Sequence, residues 1–75
     1  MKPFDNYTVV AASTQEILIE QGCSYHNEWN TLKEAKASAK YILTPAFARE
    51  YACDLGYSQV IKNKTGEVVA DYWKS

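Results

Sequence analysis

Apolar and polar positions alternate with a period of two toward both ends of the chain and follow a helical period in the middle. Residues 7–12 (YTVVAA) are β-branched and apolar, which predicts a strand. Residues 13–15 supply a turn. Residues 16–20 (EILIE) place Ile17 and Ile19 on one side and Glu16, Leu18 and Glu20 on the other, predicting a second strand that runs to about Gln21. Gly22 ends it. Residues 22–30 (GCSYHNEWN) then read as a connecting loop, long enough to suggest a role beyond connection, with the alternative that part of it extends the strand.

The strongest local signal follows. Thr31, Leu32, Lys33 and Glu34 form a capping box, in which the Thr31 hydroxyl accepts from the Glu34 N–H and the Glu34 carboxylate reaches back to the Thr31 N–H. Leu32, Ala35, Ala39, Ile42 and Leu43 fall within about 100° on a helical wheel, a core-facing stripe. Pro45 pushes Thr44 out of the helical region, so this helix ends near Leu43. Thr44 then caps a second helix with Pro45 at its first position. In that helix Phe47, Ala48, Tyr51, Ala52 and Leu55 share a face, and Gly56 is placed to stop it. Residues 57–62 and 67–73 are strands of a closing hairpin, with residues 63–66 as the turn and Gly66 suited to its left-handed position. The expected architecture is a single α+β domain spanning residues 1–75. Two β-hairpins, in the order β-β-α-α-β-β, form one antiparallel sheet with two helices packed on one face.

Composition adds one constraint. Six Tyr and two Trp are more than a 75-residue core can enclose, so some rings are expected at a half-exposed surface where amphipathic aromatics contact partners. The net charge of −1 gives no whole-chain attraction to nucleic acid or anionic membrane. The charge is uneven, though. Residues 1–32 set Lys2 against Asp5, Glu16, Glu20 and Glu28, whereas residues 33–49 set Lys33, Lys36, Lys40 and Arg49 against Glu34. The opening residues 1–5 lack the apolar run of a signal peptide and no stretch reaches transmembrane length, so a cytoplasmic location with reduced Cys23 and Cys53 is expected.

Catalytic chemistry finds little footing. Cys23 and His26 have the spacing of two metal ligands, but a structural zinc site needs about four, and only Cys53 and Asp54 remain as further candidates. The same pair lacks the oriented base and oxyanion donors that thiol catalysis requires. Glu50 and Asp54 lie four apart on a helix, where they read as a solvated face, and Gly22, Gly56 and Gly66 are too scattered for a phosphate loop. No enzyme activity, metal or cofactor is therefore expected. The surface that stands out is a ridge of Lys33, Lys36 and Lys40, within about 60° of one another on the wheel, flanked by candidate partner-binding aromatics Tyr25, Trp29 and Trp73. Such a ridge suits an acidic protein patch. The alternative is a small nucleic-acid-binding protein, in which the lysines meet phosphates and sheet aromatics such as Tyr57, Tyr72 and Trp73 stack on bases. A small core with surplus aromatics also favours a homodimer.

The capped helix at residues 31–39 (TLKEAKASA) and the hairpin at residues 60–73 (VIKNKTGEVVADYW) together resemble the helix-plus-hairpin layout of some small type I anti-CRISPR proteins of phages and mobile elements. The resemblance implies a non-catalytic inhibitor used in evasion of host defence. Such a protein docks on a host protein or ribonucleoprotein complex in the bacterial cytoplasm and blocks its access to target DNA. It assigns no individual residue.

Overall fold

The computed structural model describes residues 6–74. Among these the chain forms β1 (Tyr7–Ala12), α1 (Gln15–Gln21), β2 (Tyr25–Trp29), α2 (Leu32–Tyr41), α3 (Pro45–Tyr51), β3 (Tyr57–Lys62) and β4 (Glu67–Trp73). The strands make one antiparallel sheet in the order β2-β1-β3-β4. The α+β class, the antiparallel sheet and the closing hairpin are thus as the residue pattern predicts.

Strand alternation decides what the sheet buries. Val9 and Ala11 of β1 lie opposite Val60 and Ser58 of β3, and all four are buried beneath α2. Ala35 and Ala39 of α2, Ile42 and Leu43 just beyond it, Phe47 of α3 and Leu55 complete the core. Both caps expected at the helix starts are present. The Thr31 hydroxyl accepts from the Glu34 N–H at 3.2 Å and donates to Glu34 Oε1 at 2.9 Å, so the carboxylate meets the hydroxyl where the sequence pattern predicts the backbone N–H. The Thr44 hydroxyl accepts from the Phe47 N–H at 3.3 Å, with Pro45 behind it in the first turn of α3.

Three local readings change. Residues 16–20 are helical, not a strand: Thr14, read as part of a turn, is an N-cap whose hydroxyl accepts from the Ile17 N–H at 3.1 Å. A three-residue apolar run flanked by Glu fits either period, and the cap upstream decides it. The partner of β1 is found instead within the expected loop, at Tyr25–Trp29, so β1 and β2 are joined through α1 rather than by a hairpin turn. The second helix stops at Tyr51, not at Gly56. Ala52 takes the left-handed conformation (φ 51°, ψ 41°) and its N–H returns to the Ala48 carbonyl. Gly56 serves a different need: a Cβ there would collide with the Ser13 backbone carbonyl, because this residue bonds to the Ala12 carbonyl across the sheet at 3.0 Å.

The helices divide between the two faces. α2 covers one, with Phe47 of α3 reaching the same core; α1 packs against β1 and β3, with Gln15 near Tyr57, whose side chain points away from α2. The β3–β4 turn places Gly66 at φ 76°, as its position in the sequence suggests. A bulge between Val60 and Ile61 and the facing residues leaves Val69 without a partner on β3.

At the end of α2 the last turn tightens, with the Leu43 N–H bonding the Lys40 carbonyl at 3.2 Å. The Ala39 carbonyl instead accepts from the buried Ser58 hydroxyl at 2.8 Å. Replacing Ser58 by Ala removes that donor and leaves a buried carbonyl unmatched, an expected loss of about 1–3 kcal/mol by urea unfolding. Ala52→Gly should act in the opposite direction, relieving left-handed strain on the order of 1 kcal/mol less the added freedom of the unfolded chain, read as a small rise in Tm.

Candidate functional site

Tyr25 and Trp29 lie four residues apart on β2 and share its α2-facing side, opposite Ala11 and Tyr7 of β1. β2 is an edge strand, so these rings have sheet on one side only. The flank of α2 that faces them carries Glu34, Ser38 and Tyr41, and α3 contributes Phe47 and Tyr51. Together they enclose an open groove of about 460 Å³. Phe47 is buried at its floor, with Tyr25 and Tyr41 edge-on at 5.6 and 5.8 Å between ring centroids and Tyr51 tilted over it at 4.7 Å. The upper rings are open to solvent: Tyr51 is 60% exposed and Tyr41 46%. The Trp29 Nε1–H is buried and meets no acceptor among the described residues. The Tyr41 hydroxyl donates to Glu50 Oε2 at 3.4 Å, and partial desolvation followed by the adjacent Glu50 charge raises its pKa above the ordinary 10.0.

The six residues singled out from the sequence occupy three places. Tyr25 and Trp29 share the groove. Lys33, Lys36 and Lys40 run along the opposite flank of α2, toward β4, where Lys40 Nζ lies 5.4 Å over the Tyr72 ring. None of these lysines makes an ion pair among the described residues; the salt bridge found there joins Lys74 to Asp54 at 2.9 Å. Trp73, 57% exposed, lies on the far face of the sheet against Tyr57, at 5.1 Å between centroids. The lysine ridge and the β2 aromatics are therefore separate surfaces.

Tyr41, Phe47 and Tyr51 are the groove residues that sequence reasoning did not assign to a site. Phe47 and Tyr51 share a helical face in the sequence, but α3 stops at Tyr51, which lies exposed at the rim while Phe47 is buried. A larger hollow of about 710 Å³ at the end of the sheet is lined by Asn6, Tyr7, Asn30, Leu32 and Lys62 among others. Its walls bond one another, Asn6 Nδ2 donating to the Asn30 carbonyl at 2.8 Å.

Cys23 is exposed and Cys53 half-buried, and both are free thiols. Among the described residues no group of three or more His, Cys, Asp or Glu is placed to hold a metal ion, and no helix is long and apolar enough to cross a membrane. Comparison with protein-family models, curated proteins and solved structures gives no match.

On the far face, burial and the Asp71 carboxylate, which accepts from the Tyr57 hydroxyl at 3.1 Å, raise the Tyr57 pKa against the opposing effects of Gln59 and Gln15. A raised tyrosine favours the protonated fold. Its contribution is complete below the ordinary value of 10.0 and is lost as pH rises through the higher folded value. Urea unfolding repeated at increasing alkaline pH should show stability falling in that window, with a shallower fall for Tyr57→Phe.

Proposed function

We propose that this chain is a non-catalytic protein-binding module whose docking surface is the aromatic groove between β2, α2 and α3. The observation that carries the reading is the exposure of Tyr41 and Tyr51 above a buried Phe47, beside Tyr25 and Trp29. Rigid aromatic rings around an apolar floor supply large contact area at low entropic cost, the composition of interface anchors. The groove offers little for chemistry: its side-chain polar groups are tyrosine hydroxyls, the Trp29 indole N–H, Ser38 and Glu34, and the Glu34 carboxylate is engaged by its own helix cap. The likeness of residues 31–39 and 60–73 to small anti-CRISPR proteins extends the proposal to the class of partner, a host protein or ribonucleoprotein complex that the module inhibits.

The lysine flank supports a second contact. Lys33, Lys36 and Lys40 would steer an acidic partner toward α2 or, in the nucleic-acid-binding alternative, meet a phosphate backbone. Affinity capture from a bacterial lysate, with and without nuclease, separates these readings when run with two variants. Tyr41→Ala/Tyr51→Ala is expected to abolish retention of a stoichiometric protein that survives nuclease, each anchor contributing roughly tenfold or more in affinity. Lys33→Ala/Lys36→Ala/Lys40→Ala is expected to slow association and flatten its salt dependence. Capture that vanishes with nuclease and with the lysine variant, and is indifferent to the tyrosines, would replace the groove by the nucleic-acid reading.

A further inference from the structure

The free edge of β2 runs along the mouth of the aromatic groove, and the ladder pattern of the sheet identifies which backbone groups it leaves open. The Asn63 N–H donates to the Asn6 carbonyl at 3.0 Å, in register with the β1–β3 pairing, so the even-numbered residues of β1 direct their backbone groups to β3. Tyr7, Val9 and Ala11 therefore turn theirs toward β2, where they meet Trp29, Asn27 and Tyr25. The N–H and C=O groups of His26 and Glu28 are left pointing outward. One of them is covered from within: Asn27 Oδ1 accepts from the Glu28 N–H at 2.8 Å, while Asn27 Nδ2 donates to the Tyr25 hydroxyl at 3.2 Å. An Asn side chain that takes the outward amide guards an edge yet can be displaced from it. The opposite edge, β4, is interrupted by its bulge, whereas β2 pairs in unbroken register.

Charge narrows what would pair there. Glu28 stands on the outer face of β2, Glu34 on the groove wall and Glu50 beside Tyr41, and among the described residues no lysine or arginine lines the groove. A strand laid against β2 would send alternate side chains to the groove face, beside Tyr25 and Trp29, and to the face of His26 and Glu28. The first set of positions calls for apolar residues and the second for basic ones. A second copy of the chain would instead bring another acidic, aromatic groove against this one.

We infer that β2 accepts a fifth strand from the partner protein, an extended segment of alternating apolar and basic residues whose backbone pairs with His26 and Glu28 while its apolar side chains enter the aromatic groove. This rests on the groove being the docking surface and adds the mode of binding and the chemistry of the bound segment.

The test uses a short fluorescent peptide of alternating Ile and Lys, with an alternating Ile–Glu peptide and an Ile–Lys peptide N-methylated at the amides that face β2. The expected result is binding of the Ile–Lys peptide, slower amide exchange at His26 and Glu28, at least about tenfold weaker binding of the N-methylated form, and no binding of the Ile–Glu form. Asn27→Ala, which uncovers the Glu28 N–H, should tighten binding several-fold. Equal binding of the parent and N-methylated peptides, lost in Tyr41→Ala/Tyr51→Ala, would overturn strand addition and leave the groove standing. Binding lost on N-methylation but unaffected by the tyrosine variant would keep the edge and remove the groove. Failure of the Ile–Lys peptide to bind either the parent protein or Asn27→Ala would overturn the inference, with the groove then judged by the capture experiment alone.

Discussion

Ala35 and Ala39 let α2 settle close onto β1 and β3, against Val9, Ala11, Ser58 and Val60, with no long side chain to hold the layers apart. The closeness is what allows a sheet hydroxyl to end a helix: Ser58 reaches the Ala39 carbonyl directly. Burial of such small residues contributes little area apiece, so the interface depends on fit and on satisfied polar groups more than on hydrophobic bulk. The large rings are displaced outward as a result. Tyr25, Trp29 and Tyr72 pack around the margin of the core rather than within it, and Tyr41 and Tyr51 extend beyond it. Much of the aromatic surplus evident in the composition thus becomes surface, because the contact between α2 and the sheet is built from alanine and valine while Phe47 and Tyr57 are the rings taken inside.

Where a single residue type dictates a conformation, the structure could be anticipated. Thr31, Thr44 and Pro45 place the starts of α2 and α3, and Gly66 adopts the positive φ that the β3–β4 turn needs. Where pattern alone had to decide, it was ambiguous. Residues 16–20 satisfy a strand period, yet the segment is a short helix that leaves Ile19 70% exposed. Tyr25–Trp29 alternates as a strand should, with the two rings on one side and His26 and Glu28 on the other, but the polar content of an edge strand disguised it as loop. The end of α3 was hidden for a different reason: Ala52 carries a left-handed conformation that a nearby glycine would be expected to take, while Gly56 is held by backbone crowding from Ser13.

The candidate site was legible in its residue types and illegible in its assembly. Tyr25 and Trp29 were recognised as partner-facing aromatics, but the ridge of Lys33, Lys36 and Lys40 fixes only a direction around α2, not what lies beside it. That depends on strand order. With β4 under the lysine flank and β2 under the opposite one, α2 divides its surroundings into a basic side and an aromatic, carboxylate-bearing side. Nothing in the helix sequence specifies which strand falls on which side.

The connection through α1 determines how the groove comes to have an open edge. A tight turn would have returned the chain beside β1 immediately. Instead the chain crosses the far face of the sheet as α1, packing on β1 and β3, before β2 pairs outside β1. β2 is then followed within two residues by the Thr31 cap, so strand and helix are set side by side with their aromatic and acidic residues facing one another. The domain cannot cover that edge with a segment already committed to α1. The open backbone of His26 and Glu28 and the exposed rings of Tyr41 and Tyr51 are in this sense products of one topological choice, and a partner that matches one has the other within reach.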